Sequence, residues 1–77
     1  MIFDEIHIGE IIQNKMKEER RSASWLADEL SCTRKNVYKI YKKSNIDIVQ
    51  LLQISCALNY NFFNDISNIF YKMPTNN

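Results

Sequence analysis

Apolar residues return at helical spacing in five separate runs along this chain. From His7 to about Arg20, Ile8, Ile11, Ile12 and Met16 fall at i, i+3, i+4 and i+8, one stripe of a helix. Glu18, Glu19, Arg20 and Arg21 close that run as a solvated, charged end, and His7 at its head reads as a cap rather than a ligand or a base. A second run, about 23–30, sets Leu26, Ala27 and Leu30 on one face, with Ser22 as N-cap and Asp28 and Glu29 opposite. A third, about 34–42, carries Val37, Ile40 and Tyr41 at i, i+3 and i+4 behind Thr33, a second capping residue. Trp25, between the caps and Leu26, is expected to pack helix one on helix two.

The fourth run opens on the most specific local signal in the chain. Asp47 stands at an N-cap with Gln50 three residues on, and Ile46 and Leu51 are spaced as a hydrophobic staple. The helix then runs through Ile48, Leu51, Leu52, Ser55 and Leu58 to Asn59, a residue suited to a left-handed stop. Asn61 caps a fifth run holding Phe62, Phe63, Ile66, Ile69 and Phe70. No stretch alternates as a strand does, so the expectation is an all-α fold of five helices in one domain over 1–77. Residues 1–6 form a lead-in arm in which Ile2, Phe3 and Ile6 are available to pack, and 74–77 form a frayed polar tail.

Charge changes this picture more than composition does. With 45% hydrophobic and 25% charged residues the 77-residue chain reads as globular rather than disordered, and its net charge of +1 says nothing about a partner. The distribution is uneven, however. Residues 1–30 hold seven acids and four bases, whereas 31–43 hold Arg34, Lys35, Lys39, Lys42 and Lys43 and no acid. One basic face on an otherwise neutral domain is an electrostatic footprint for a polyanion.

Two short helices joined by a few residues around Ser31 and Cys32 suit a helix-turn-helix over 22–43, whose second helix can enter the major groove. The residues Leu26-Ala27, Leu30, Ser31, Thr33, Val37 and Ile40 also resemble, in type and spacing, the lambda-repressor/Cro-type helix-turn-helix proteins of the XRE family. The resemblance extends from Ile8 to about Phe63. It implies a five-helix lambda-repressor-like domain that binds double-stranded DNA in a bacterium or phage. One position departs from the pattern: the turn usually carries glycine, and here it carries Ser31. A serine in a positive-φ site costs about 1 kcal/mol or more, so the turn is either strained or built differently.

Carried over by that resemblance, the base-reading positions are Arg34, Lys35 and Lys39. Arg34 suits a bidentate contact to guanine, and Lys35 a guanine or a phosphate. Thr33 and Asn36 can hydrogen-bond at the same surface, although capping can occupy Thr33. Tyr38 lies off the apolar stripe and is either a DNA contact or a half-buried surface aromatic. Lys42 and Lys43 suit phosphates, which position without specifying. Ser22 and Ser24 head the preceding helix, where backbone amides can hold a phosphate.

Other chemistry finds little support. The only glycine is Gly9, so there is no glycine-rich phosphate loop, and a lone His offers no metal triad. Cys32 and Cys56 lack metal-type spacing and an activating partner, and read as free, reduced thiols of a cytoplasmic protein. The opening MIFDEIH is acidic and unlike a targeting sequence, and no apolar run approaches the ~18 residues of a membrane span. The expectation is therefore a transcriptional regulator that is not an enzyme and needs no cofactor, metal, small-molecule ligand or membrane. A homodimer through the C-terminal helix, by way of Ile69, Phe70 and Tyr71, would supply two half-sites. The rival reading is an antitoxin-like or scaffold module that keeps the fold and binds a protein partner.

Overall fold

Five N-terminal caps punctuate the chain, and each is made by a side chain accepting from the amide three residues on. His7 Nδ1 accepts from Glu10 at 3.1 Å and Ser22 Oγ from Trp25 at 3.0 Å. Thr33 Oγ1 accepts from Asn36 at 3.2 Å, Asp47 Oδ1 from Gln50 at 2.8 Å, and Asn61 Oδ1 from Asn64 at 3.3 Å. The computed structural model describes residues 2–73, without the side chains of Ile2 and Asp4. The helices that these caps start are α1 (Ile8–Glu18), α2 (Ala23–Glu29), α3 (Arg34–Tyr41), α4 (Ile48–Leu58) and α5 (Phe62–Lys72), after a single 3-10 turn at Ile2–Glu5. There is no strand among the described residues. The expected tail at 74–77 and any packing of the Ile2 side chain lie outside them. At Asp47 the capping box is half formed, because no return bond from the Gln50 side chain is present among the described residues.

Three helices end by one device. Arg20, Ser31 and Asn59 each take a left-handed backbone, with φ of 55°, 54° and 50°. In each case the next amide reaches back five residues: Arg21 to the Met16 carbonyl at 2.9 Å, Cys32 to Ala27 at 2.9 Å and Tyr60 to Ser55 at 3.0 Å. This is a Schellman closure without glycine at any of its three left-handed positions.

The chain's one glycine has another task. The Ile8 amide donates to the Ser44 carbonyl at 3.0 Å and the Gly9 amide to the Lys43 carbonyl at 2.8 Å. The first turn of α1 is thus satisfied by the chain leaving α3. A Cβ on Gly9 would collide with the Ile40 carbonyl oxygen and lie 2.6 Å from those of Tyr41 and Lys43.

The core joins Ile12 and Met16 of α1, Leu26 and Ala27 of α2, Val37, Ile40 and Tyr41 of α3, Leu51, Ile54 and Leu58 of α4, and Phe62 of α5. Two expected stripes need correction. In α4 the buried line is Leu51, Ile54, Ser55 and Leu58, which leaves Ile48 and Leu52 exposed at 70% and 52%. In α5 only Phe62 is buried, Phe63 and Ile69 are half-buried, and Ile66 and Phe70 face outward. Both helices are apolar on more than one side, so spacing alone does not select the face that the core takes. Buried Ser55 causes no deficit, since its hydroxyl donates to the Leu51 carbonyl at 2.8 Å.

Candidate nucleic-acid interface

The turn between α2 and α3 decides where the basic residues point. Ser31 adopts the left-handed backbone, Cys32 closes onto Ala27, and Thr33 then caps α3 in an extended conformation. The turn is therefore strained rather than rebuilt: a non-glycine residue holds a site that costs about 1–2 kcal/mol for an L side chain. Cys32 is half-buried there with its thiol toward the Thr33 carbonyl at 3.6 Å, and both it and Cys56 are free.

Along α3 each residue turns about 100° from the last, so burying Val37, Ile40 and Tyr41 leaves Lys35, Lys39 and Lys42 on the opposite side, flanked by Arg34, Tyr38 and Lys43. Each of these six is exposed. Arg34, Lys35, Tyr38, Lys39 and Lys42 line one shallow surface depression of about 580 Å³. Among the described residues none of the five bases has a carboxylate partner; the ion pairs present are those of Lys15 with Glu18 and Glu19. Four cations held on one side without internal neutralisation leave their field directed at whatever docks there.

Tyr38 is 52% exposed and meets Tyr41 edge-to-face, with ring centroids 6.0 Å apart. Burial first, and Tyr38 beside it second, raise the Tyr41 phenol above its ordinary range, which keeps it a neutral core residue. Tyr38 is left as the aromatic member of the basic face.

Asn36 and Lys43 lie on the flank of that surface nearest α4. With Lys39 they border a smaller notch, about 180 Å³, whose far wall holds Gln50 and Gln53 of α4. Nothing in the local sequence marked these glutamines as neighbours of α3, because the notch exists only once α4 packs beside it. Ser22 and Ser24 are exposed at the start of α2, the end away from the turn, and neither lines the α3 depressions. The Ser22 hydroxyl is occupied by its cap. Next to it Arg21 stacks on the half-buried Trp25 ring at 4.4 Å, which adds a cation at that end.

No family model matches the chain, and comparison with curated proteins and with solved structures gives no match either. Among the described residues no three His, Cys, Asp or Glu side chains come together as a metal site. No helix there is long and apolar enough to cross a membrane.

Proposed function

We propose that the protein is a sequence-specific, double-stranded DNA-binding regulator of transcription in a bacterium or phage, of the lambda-repressor-like helix-turn-helix kind. In this reading α3 enters the major groove and the protein occludes a promoter from the cytoplasm, without catalysis, cofactor or small-molecule ligand. One observation carries the proposal: the solvent side of α3 holds Arg34, Lys35, Lys39 and Lys42 around Tyr38, with no acid on the helix. In this reading Arg34 and Lys35, in the first turn, read base edges, with Lys39 one turn further along. Lys42 and Lys43 take phosphates, and the amides around Ser22 and Ser24 take another on the neighbouring strand.

Selection from a random duplex pool tests this directly. A defined motif should emerge, and affinity should fall with salt at a log–log slope of roughly −4 per protomer, for about four or five phosphates neutralised. No binding to any duplex at ~50 mM salt would discard the proposal. The rival, an antitoxin-like or scaffold module, draws on a different feature: Phe70 and Tyr71 stand 67% and 78% exposed at the end of α5. It requires affinity for a protein partner that survives neutralisation of the α3 bases.

A further inference from the structure

Gln50 and Gln53 of α4 wall the notch beside α3, across from Asn36, Lys39 and Lys43. Among the described residues none of the three carboxamides there has a hydrogen-bond partner. Gln50 stands where a capping box would turn its side chain back to Asp47, yet only the Asp47 carboxylate makes its half of that box. No carboxylate lines the notch. Two ammonium groups and unspent amide donors around a space of about 180 Å³ suit one tetrahedral anion. We propose that the notch holds a backbone phosphate of bound DNA, with Lys43 supplying charge and Gln50 and Gln53 donating hydrogen bonds. The inference rests on the DNA-binding reading, and it makes α4 a second element of that interface.

Placement selects the backbone over a base edge. A helix with its side chains is about 10–12 Å across, and the major groove is about 12 Å wide. The outward side of a groove-bound helix therefore meets base edges, while its flanks meet the sugar-phosphate walls. The notch lies on the flank of α3 nearest α4, and Lys39 borders both it and the outward depression. Gln50 and Gln53 are three residues apart on α4, neighbours on one face, so both carboxamides reach the same group. A carboxamide donates to phosphate without carrying charge. It adds affinity and displaces no counterion, which distinguishes its contribution from that of a lysine.

Titration of two duplexes over a salt series, one carrying the selected motif and one unrelated, tests the site. Gln50→Ala with Gln53→Ala should weaken both duplexes by the same factor, about tenfold, and leave the salt slope unchanged. Lys43→Ala should also weaken both, but flatten the slope by about one unit. Adding Lys43→Ala to the glutamine pair should cost less than the product of the separate losses, because both act on one phosphate. Val49→Ala with Leu52→Ala, at exposed α4 positions outside the notch, should leave affinity unchanged. Circular dichroism confirms the fold of each variant. Wild-type binding, scored first, decides the DNA-binding reading by itself. A glutamine pair that binds like wild type overturns the proposal, as does a loss confined to the selected motif or a slope flattened by the glutamine changes.

Discussion

The Gly9 amide donates to the Lys43 carbonyl at 2.8 Å, which binds the start of α1 to the chain just beyond α3. This contact adds to the burial of Val37, Ile40 and Tyr41 in holding the basic helix against the core. Gly9→Ala sets two effects against each other. Alanine gains up to about 1 kcal/mol of helix propensity. Its Cβ, however, meets the backbone oxygens of Ile40, Tyr41 and Lys43, which cannot rotate away as a side chain would. Overpacking of this kind costs about 1–3 kcal/mol, with rigid backbone at the upper end. Net destabilisation is expected, measured as a lower urea midpoint; an unchanged or raised midpoint would refute the close approach.

Ser31 offers the opposite experiment. Its φ of 54° is one that glycine holds freely, and its exposed side chain makes no hydrogen bond among the described residues. Ser31→Gly relieves about 1–2 kcal/mol of strain and returns part of it as unfolded-chain entropy, for a net gain of about 0.5–1 kcal/mol. For a domain this small that is several degrees in thermal midpoint. Asn59→Gly should gain less, because asparagine tolerates the left-handed region. Thermal melts of both variants give the order, and a larger gain at Asn59 contradicts the strain account.

Alkaline stability should report the Tyr60 hydroxyl. It donates to Asp65 Oδ1 at 2.6 Å, and this bond, then burial, then the charges of Asp65 and Glu18 push its phenol up to about 12. The native state therefore keeps a proton that the unfolded chain releases near pH 10. The contribution is whole below pH 10 and is lost as pH rises through about 12. Tyr60→Phe should flatten that part of the stability–pH curve, with a residual slope left by Tyr41, whose phenol is also raised. Identical curves for the two proteins from pH 9 to 12 would dismiss the coupling.

Legibility followed the range of each interaction. The caps at His7, Ser22, Thr33, Asp47 and Asn61 were readable because donor and acceptor lie three residues apart, and the Asn59 stop is equally local. The outward set on α3 was readable because three apolar residues among bases leave one choice of inner face. Gly9 was not, since its neighbours are more than thirty positions away and a lone glycine in a first turn carries no sign of what approaches it. Nor was the solvent side of α4: a helix apolar on more than one side does not reveal which side is covered. The Gln50–Gln53 wall beside Lys39 arises only from helix packing, which no single run encodes.

Within the basic face, reading and positioning should separate. Arg34 is the first residue of α3, at the end that approaches base edges in a groove-bound helix, whereas Lys42 is the residue at the helix's C-terminal cap. Loss of a bidentate arginine contact costs about 1–3 kcal/mol at one base pair and relaxes the preference there. Loss of a phosphate contact weakens every sequence alike and flattens the salt slope by about one unit. Arg34→Ala should therefore change the motif recovered from a random pool. Lys42→Ala should recover the wild-type motif at lower affinity and with a shallower slope. Both side chains are exposed, so the unfolding free energies from urea titration should stay within about 0.5 kcal/mol of wild type. If Arg34→Ala loses affinity equally for all sequences, its guanidinium is a phosphate clamp. Base reading then passes to Lys35 and Lys39, the side chains that point most directly away from the core, together with Tyr38 between them.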